Sequence, residues 1–185
     1  MATAAKEKGV MDPKVISATK VELRVEEDRF HGVTLVRPKK EKDIGGTGMF
    51  DTASITPVYS RDERGQESYS LRVVYSGFGW MFLKGSLIFI VDGGNRIALQ
   101  GPSSDGKRDV VSCSGSSCLL REEINVSITK EQLENISRAV KAEVRLDGRR
   151  AYMQGYLKEF HCAAIRAILD YAKTNSGPAA AQDLQ

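Results

Sequence analysis

Few residues in this 185-residue chain are of types that do covalent chemistry, and their spacing decides what they can do. The two histidines are His31 and His161, and the three cysteines are Cys113, Cys118 and Cys162. Hydrolysis or group transfer needs a nucleophile, a base and a group that orients the base, all brought together. His31 lies beside a strand-like segment among charges and reads as a surface or strand-end residue. His161 and Cys162 are neighbours in a helical stretch, about 100° apart around its axis, so they do not face one another as a thiolate–imidazole pair would. His161 reads instead as a packed histidine at the edge of an apolar stripe, satisfied by a hydrogen bond, and Cys162 as a small buried side chain. Asp92 precedes Gly93-Gly94, where a hairpin turn asks for residues that tolerate positive φ, so its turn role outweighs a catalytic one. These types and spacings assign no catalytic, cofactor-binding or metal-binding residue.

Cys113 and Cys118 bracket Ser-Gly-Ser-Ser, enough chain for a tight loop closed by a disulfide. That bond would hold in an oxidising compartment; in a reducing one the pair would be free thiols flanking a turn. Zinc wants a second Cys or His pair, which the scattered His31, His161 and Cys162 do not supply. Gly45-Gly46-Thr47-Gly48 is a flexible connection without the Gly-Lys-Ser/Thr of a phosphate-binding loop. Trp80 with Phe78 and Phe82 either lines a small apolar pocket or covers the sheet.

Net charge is +3 and the sequence pI about 8.7. Basic and acidic residues are mostly interleaved, as from Glu22 to Arg29, which argues against nucleic acid as the partner. Two clusters stand out: Arg37, Lys39, Lys40 and Lys42, and then Arg145, Arg149 and Arg150. Either could form a basic patch that meets an anionic surface or a protein partner.

The elements that must position these groups are mostly strands. Val21, Leu23 and Val25 alternate with charged residues, and alternation returns at Tyr69–Tyr75 and Ala142–Leu146. Trp80–Leu83 and Leu87–Val91 read as two strands separated by Lys84-Gly85-Ser86, too short and too interrupted for a membrane-spanning helix. Asp92-Gly93-Gly94-Asn95 and Asp147-Gly148 read as hairpin turns. Thr129 with Gln132 makes a capping box, with Ile128 and Leu133 stapled across it, and Leu133, Ile136 and Val140 form the stripe of a short helix. From Tyr156 to Lys173 the apolar residues Leu157, Phe160, Ile165, Ile168 and Leu169 fall on one helical face. The expected fold is α+β: an antiparallel meander of about eight or more strands, curved or in two layers, with two C-terminal helices flanking a β-hairpin. The expected organisation is a loose tail over residues 1–18, one domain over 19–174 and a second tail over 175–185. Met1–Lys8 lacks the apolar core of a secretory signal. The expected location is therefore cytoplasmic as the chain is written, and extracytoplasmic if a signal has been removed.

Four stretches, Phe30–Arg37, Leu71–Leu83, Ile90–Leu99 and Ile128–Gly148 with the helix that follows, give the chain a resemblance over about residues 20–173. It resembles an uncharacterised bacterial family of small lipoprotein-like or secreted α+β domains. The resemblance implies one such domain, often exported, and carries over no catalytic residue. The functional expectation is a non-enzymatic binding or structural domain of a bacterial cell, associated with the envelope. The alternatives are a hydrolase-like enzyme with a small pocket near Trp80, and a weak binder of anionic polymers through the basic residues.

Overall fold

The computed structural model describes residues 9–44, 51–101 and 106–175. Its order is α1 (Pro13–Ala18), β1 (Leu23–Asp28), β2 (Val33–Pro38), β3 (Thr52–Asp62), β4 (Glu67–Gly77), β5 (Leu83–Val91) and β6 (Asn95–Gln100). Then follow β7 (Lys107–Ser114), β8 (Ser117–Ser127), α2 (Lys130–Arg138), β9 (Ala142–Gly148), β10 (Tyr152–Tyr156) and α3 (Glu159–Asn175). All pairings between strands are antiparallel, in a curled six-stranded sheet ordered β1-β2-β3-β4-β8-β7 and a four-stranded sheet ordered β10-β9-β5-β6. The α+β antiparallel meander expected from the sequence is therefore the fold.

Strand alternation sorts the side chains. In the larger sheet Leu71, Val73 and Tyr75 of β4 lie opposite Val126, Ile124 and Glu122 of β8, and all six are buried. In the smaller sheet Leu87, Phe89 and Val91 share the inner face with Leu146, Val144 and Ala142. Helix α3 closes the core against β3 and β2, with α1 and α2 beside it, and Ile165, Ile168 and Ala172 are buried along it. Helix α2 starts at the expected capping box: Gln132 N–H donates to Thr129 Oγ1 at 3.1 Å, and Thr129 N–H donates to Gln132 Oε1 at 3.0 Å. Val91–Gly94 forms the expected turn, with φ of 49° at Asp92 and 79° at Gly93, the pairing of two positive values that suits a tight hairpin.

Four local expectations are corrected. Residues 9–18 are not a loose tail: Met11 and Ile16 are buried, and α1 is capped by Asp12, which precedes Pro13 and whose carboxylate accepts from Lys14 N–H. The Asp-Pro pair is a helix-start signal, and two apolar anchors dock so short a helix. The outer parts of both expected tails, residues 1–8 and 176–185, and the glycine-rich connection at 45–48 lie outside the described residues. The β9–β10 turn is Gly148–Ala151, not Asp147-Gly148, because Asp147 is engaged inside the strand by Arg145 at 2.8 Å. Gly148 is needed where it stands, since a Cβ there would fall 2.2 Å from Met81 O. Trp80–Phe82 is a bend rather than a strand, and Leu83–Val91 is one strand whose register shifts between Leu83 and Ser86. Val140 lies beyond α2 and is exposed, and Phe160 is only half-buried in α3.

Candidate functional site

The bend at residues 78–82 is where the two sheets meet, and one side chain shapes it. Glu122 comes from the inner face of β8 in the large sheet and is 1% exposed. Its carboxylate accepts from three successive backbone N–H groups that lead into β5: Met81 at 2.5 Å, Phe82 at 2.9 Å and Leu83 at 2.9 Å. Consecutive amides converging on one anion form a nest, and here the anion is the protein's own. The nest holds Phe82 at φ 52°, a left-handed conformation that a bulky non-glycine residue adopts at a cost of about 1–3 kcal/mol. Strain of that size persists only where neighbours over-determine it, and such places concentrate at ligand-binding sites.

Phe82 so held carries two guanidinium groups. Arg108 of β7 lies 5.2 Å from the ring centroid and Arg150 of the β9–β10 turn 4.9 Å. Arg108 sits in register with Glu122, its Nε 3.6 Å from Oε2, so the buried carboxylate also orients it. Arg149 N–H donates to Phe82 O at 3.0 Å and anchors the turn on the bend. Next along the hairpin, Arg145 stacks on Tyr152 at 4.1 Å while paired with Asp147. Trp80 tilts toward Phe82 with centroids 6.3 Å apart, and Phe78 and Tyr152 are exposed. Stacking on a ring removes freedom that a guanidinium would otherwise lose on binding; here Arg108 Nε faces Glu122 and Arg145 Nε donates to Asp147 at 2.8 Å, while Arg150 is exposed.

The remaining sequence candidates are spread elsewhere. Arg37 pairs with Glu26 at 3.0 Å and Lys39 with Glu22 at 3.2 Å, both on the β1–β2 hairpin of the large sheet, and Lys40 follows them, exposed. This cluster belongs to the large sheet, whereas Arg145 lies in β9 of the small sheet with Arg149 and Arg150 in the turn after it. Cys113 and Cys118 are a cross-strand pair near the β7–β8 turn, joined as a disulfide with Cα atoms 4.0 Å apart. Cys162 is buried, and burial pushes its thiol up to about 11.

His161 is 2% exposed. Its Nδ1 accepts from Lys158 N–H at 3.0 Å, so the proton resides on Nε2, which donates to Lys42 O at 2.9 Å. Burial lowers its pKa, and both nitrogens are engaged. The adjoining cavity, lined by Ile55, Leu71, Phe89, Ile165 and their neighbours, measures about 10 Å³, at the lower limit for a single water. That cavity, as the described residues line it, has no room for a substrate beside the ring. His31 is exposed and bonded at 2.8 Å to Asp28, whose carboxyl it holds below the usual range. Asp92 accepts from Val140 N–H and Lys141 N–H, each at 2.9 Å, and so ties its turn to the start of β9.

The sequence reading missed Glu122 and Arg108. Their signal is weak: a charged residue on the inward phase of an otherwise apolar strand, Leu120, Glu122, Ile124 and Val126. Among the described residues no group of three or more His, Cys, Asp or Glu side chains is placed to hold a metal ion, and no helix is long and apolar enough to cross a membrane. Comparison with protein-family models, with curated proteins and with solved structures finds no match for this chain.

Proposed function

We propose that this protein is a non-enzymatic binding domain that presents the arginine and aromatic surface at the seam of its two sheets to an anionic polymer. The observation that carries the reading is Phe82, held in a strained conformation by Glu122 and flanked by Arg108 and Arg150. Arg149 and Arg150 are exposed at the tip of the turn, where a polymer could reach them. The Cys113–Cys118 disulfide supports residence in an oxidising compartment such as a bacterial envelope.

The test uses heparin as a polyanion probe and the fluorescence of Trp80, the single tryptophan, as the reporter. Binding should quench or shift Trp80 emission and weaken on the order of tenfold between 50 and 200 mM salt, as expected for a few released counterions. Charge reversal at Arg149 and Arg150 should abolish it, whereas reversal at Lys39 and Lys40 should leave it largely intact. Equal losses from the two pairs of reversals would show that net charge, and not this surface, binds the polymer.

A further inference from the structure

Strand β7 supplies Arg108, and among the described residues its main packing is with β8 alone. It is the edge of the large sheet, and all its residues but Arg108 are exposed, Val110 and Val111 at 57% and 54%. The ladder with β8 is also broken, with a register shift between Val110 and Ser112. One part pairs Lys107–Val110 with Leu120–Glu123, and the other pairs Ser112–Ser114 with Ser117–Leu119. A three-pair hairpin end in which only Cys118 and Leu119 are partly buried is marginal on its own. Cys113–Cys118 is the covalent bond in that outer part. It closes a short loop, its cysteines five residues apart in sequence, and so restrains the opening of this end of the hairpin.

We propose that Cys113–Cys118 is a redox latch on the anion-binding surface: oxidised, it holds β7 in register and Arg108 on Phe82; reduced, it lets β7 fray and the surface lose its preorganised guanidinium. The inference rests on the anion-binding reading for its consequence and on β7 for its mechanism. The reductant is a dithiol. One of its thiolates attacks a sulfur of the pair, a mixed disulfide forms as the Cys113–Cys118 bond breaks, and the second thiol then closes the reductant into a cyclic disulfide. Two electrons and two protons pass from the dithiol to the two cysteines, leaving two thiols.

The full chain is compared oxidised, after reduction by dithiothreitol, and as the C113S/C118S double variant, with the oxidised Arg108→Ala chain as reference. Amide exchange over residues 107–114 should accelerate on the order of tenfold or more in the reduced and double-variant chains, while exchange in α3 stays unchanged. Trp80 emission should move toward that of Arg108→Ala, and the dissociation constant for heparin should rise about threefold to tenfold. Unchanged exchange and unchanged Trp80 emission on reduction would overturn the latch. Faster exchange with unaltered heparin affinity would overturn its coupling to the surface. If the oxidised chain fails to bind heparin, the anion-binding reading falls, and the latch is then judged by exchange and Trp80 emission alone.

Discussion

Replacing Glu122 with Ala should do more damage than any other single change at the seam, and the structure sets its size. The substitution removes the acceptor for Met81, Phe82 and Leu83 N–H, and two of those three hydrogen bonds are buried. Bonds to a charged acceptor are worth about 1.5–3 kcal/mol each, and donors left unsatisfied cost about 1–3 kcal/mol each. Against this stands the desolvation that a 1%-exposed carboxylate has already undergone, several kcal/mol that the variant regains. Arg108 also loses its anion at 3.6 Å. Breaking one partner of a buried charged cluster nets about 3–5 kcal/mol, which for a chain of this length lowers the melting temperature by about 6–20 °C. Glu122→Gln keeps one acceptor oxygen but turns an amide NH₂ toward the nest, so it should fall between wild type and Ala. Urea unfolding followed by far-ultraviolet circular dichroism gives the stability, and Trp80 emission reports the bend separately. A Glu122→Ala chain that loses less than about 1 kcal/mol and keeps native Trp80 emission would refute the tie between the sheets.

Two further outcomes follow from the core. Burial lowers the pKa of His161, so as pH falls below about 6.5 the unfolded chain takes up this proton before the native chain does. Its contribution is fully present above that value and is lost as pH falls toward the folded pKa, at no more than about 1.4 kcal/mol per pH unit. Urea midpoints between pH 7 and 5.5 should therefore slope less in His161→Gln than in wild type; equal slopes would remove His161 as the cause. Ile168→Ala should cost about 2–5 kcal/mol, since Ile168 is fully buried in α3, and Phe160→Ala at most about half as much because that ring is half-buried. Thermal melts showing the reverse order would mean that α3 docks on a different face.

How much of this was legible from the residues depends on range. Thr129 and Gln132 lie three apart, and Asp92 and Gly93 are adjacent, so the cap and the turn are written in local chemistry. Asp12-Pro13 was equally local, but the polar segment around it masked the anchors Met11 and Ile16. Glu122 and Met81 lie 41 residues apart, and nothing near either announces the other. The same holds for Arg108 and Arg150, far apart in the chain and brought onto the one ring of Phe82. The basic residues were visible by composition; the ion pairs that occupy Arg37 and Lys39, and the rings that carry Arg145 and Arg150, are properties of register.

The chain visits its two sheets alternately: β1–β4 in the larger, β5–β6 in the smaller, β7–β8 back in the larger and β9–β10 again in the smaller. A cut between Gln100 and Lys107 would therefore give two fragments that each hold an incomplete share of both sheets. Joining them must re-form the β4–β8 and β5–β9 ladders together, because Glu122 on one piece fastens the bend on the other. Such a cut would leave Trp80 on the first fragment and, on the second, the carboxylate that holds the backbone beside it, so rejoining should register in tryptophan emission.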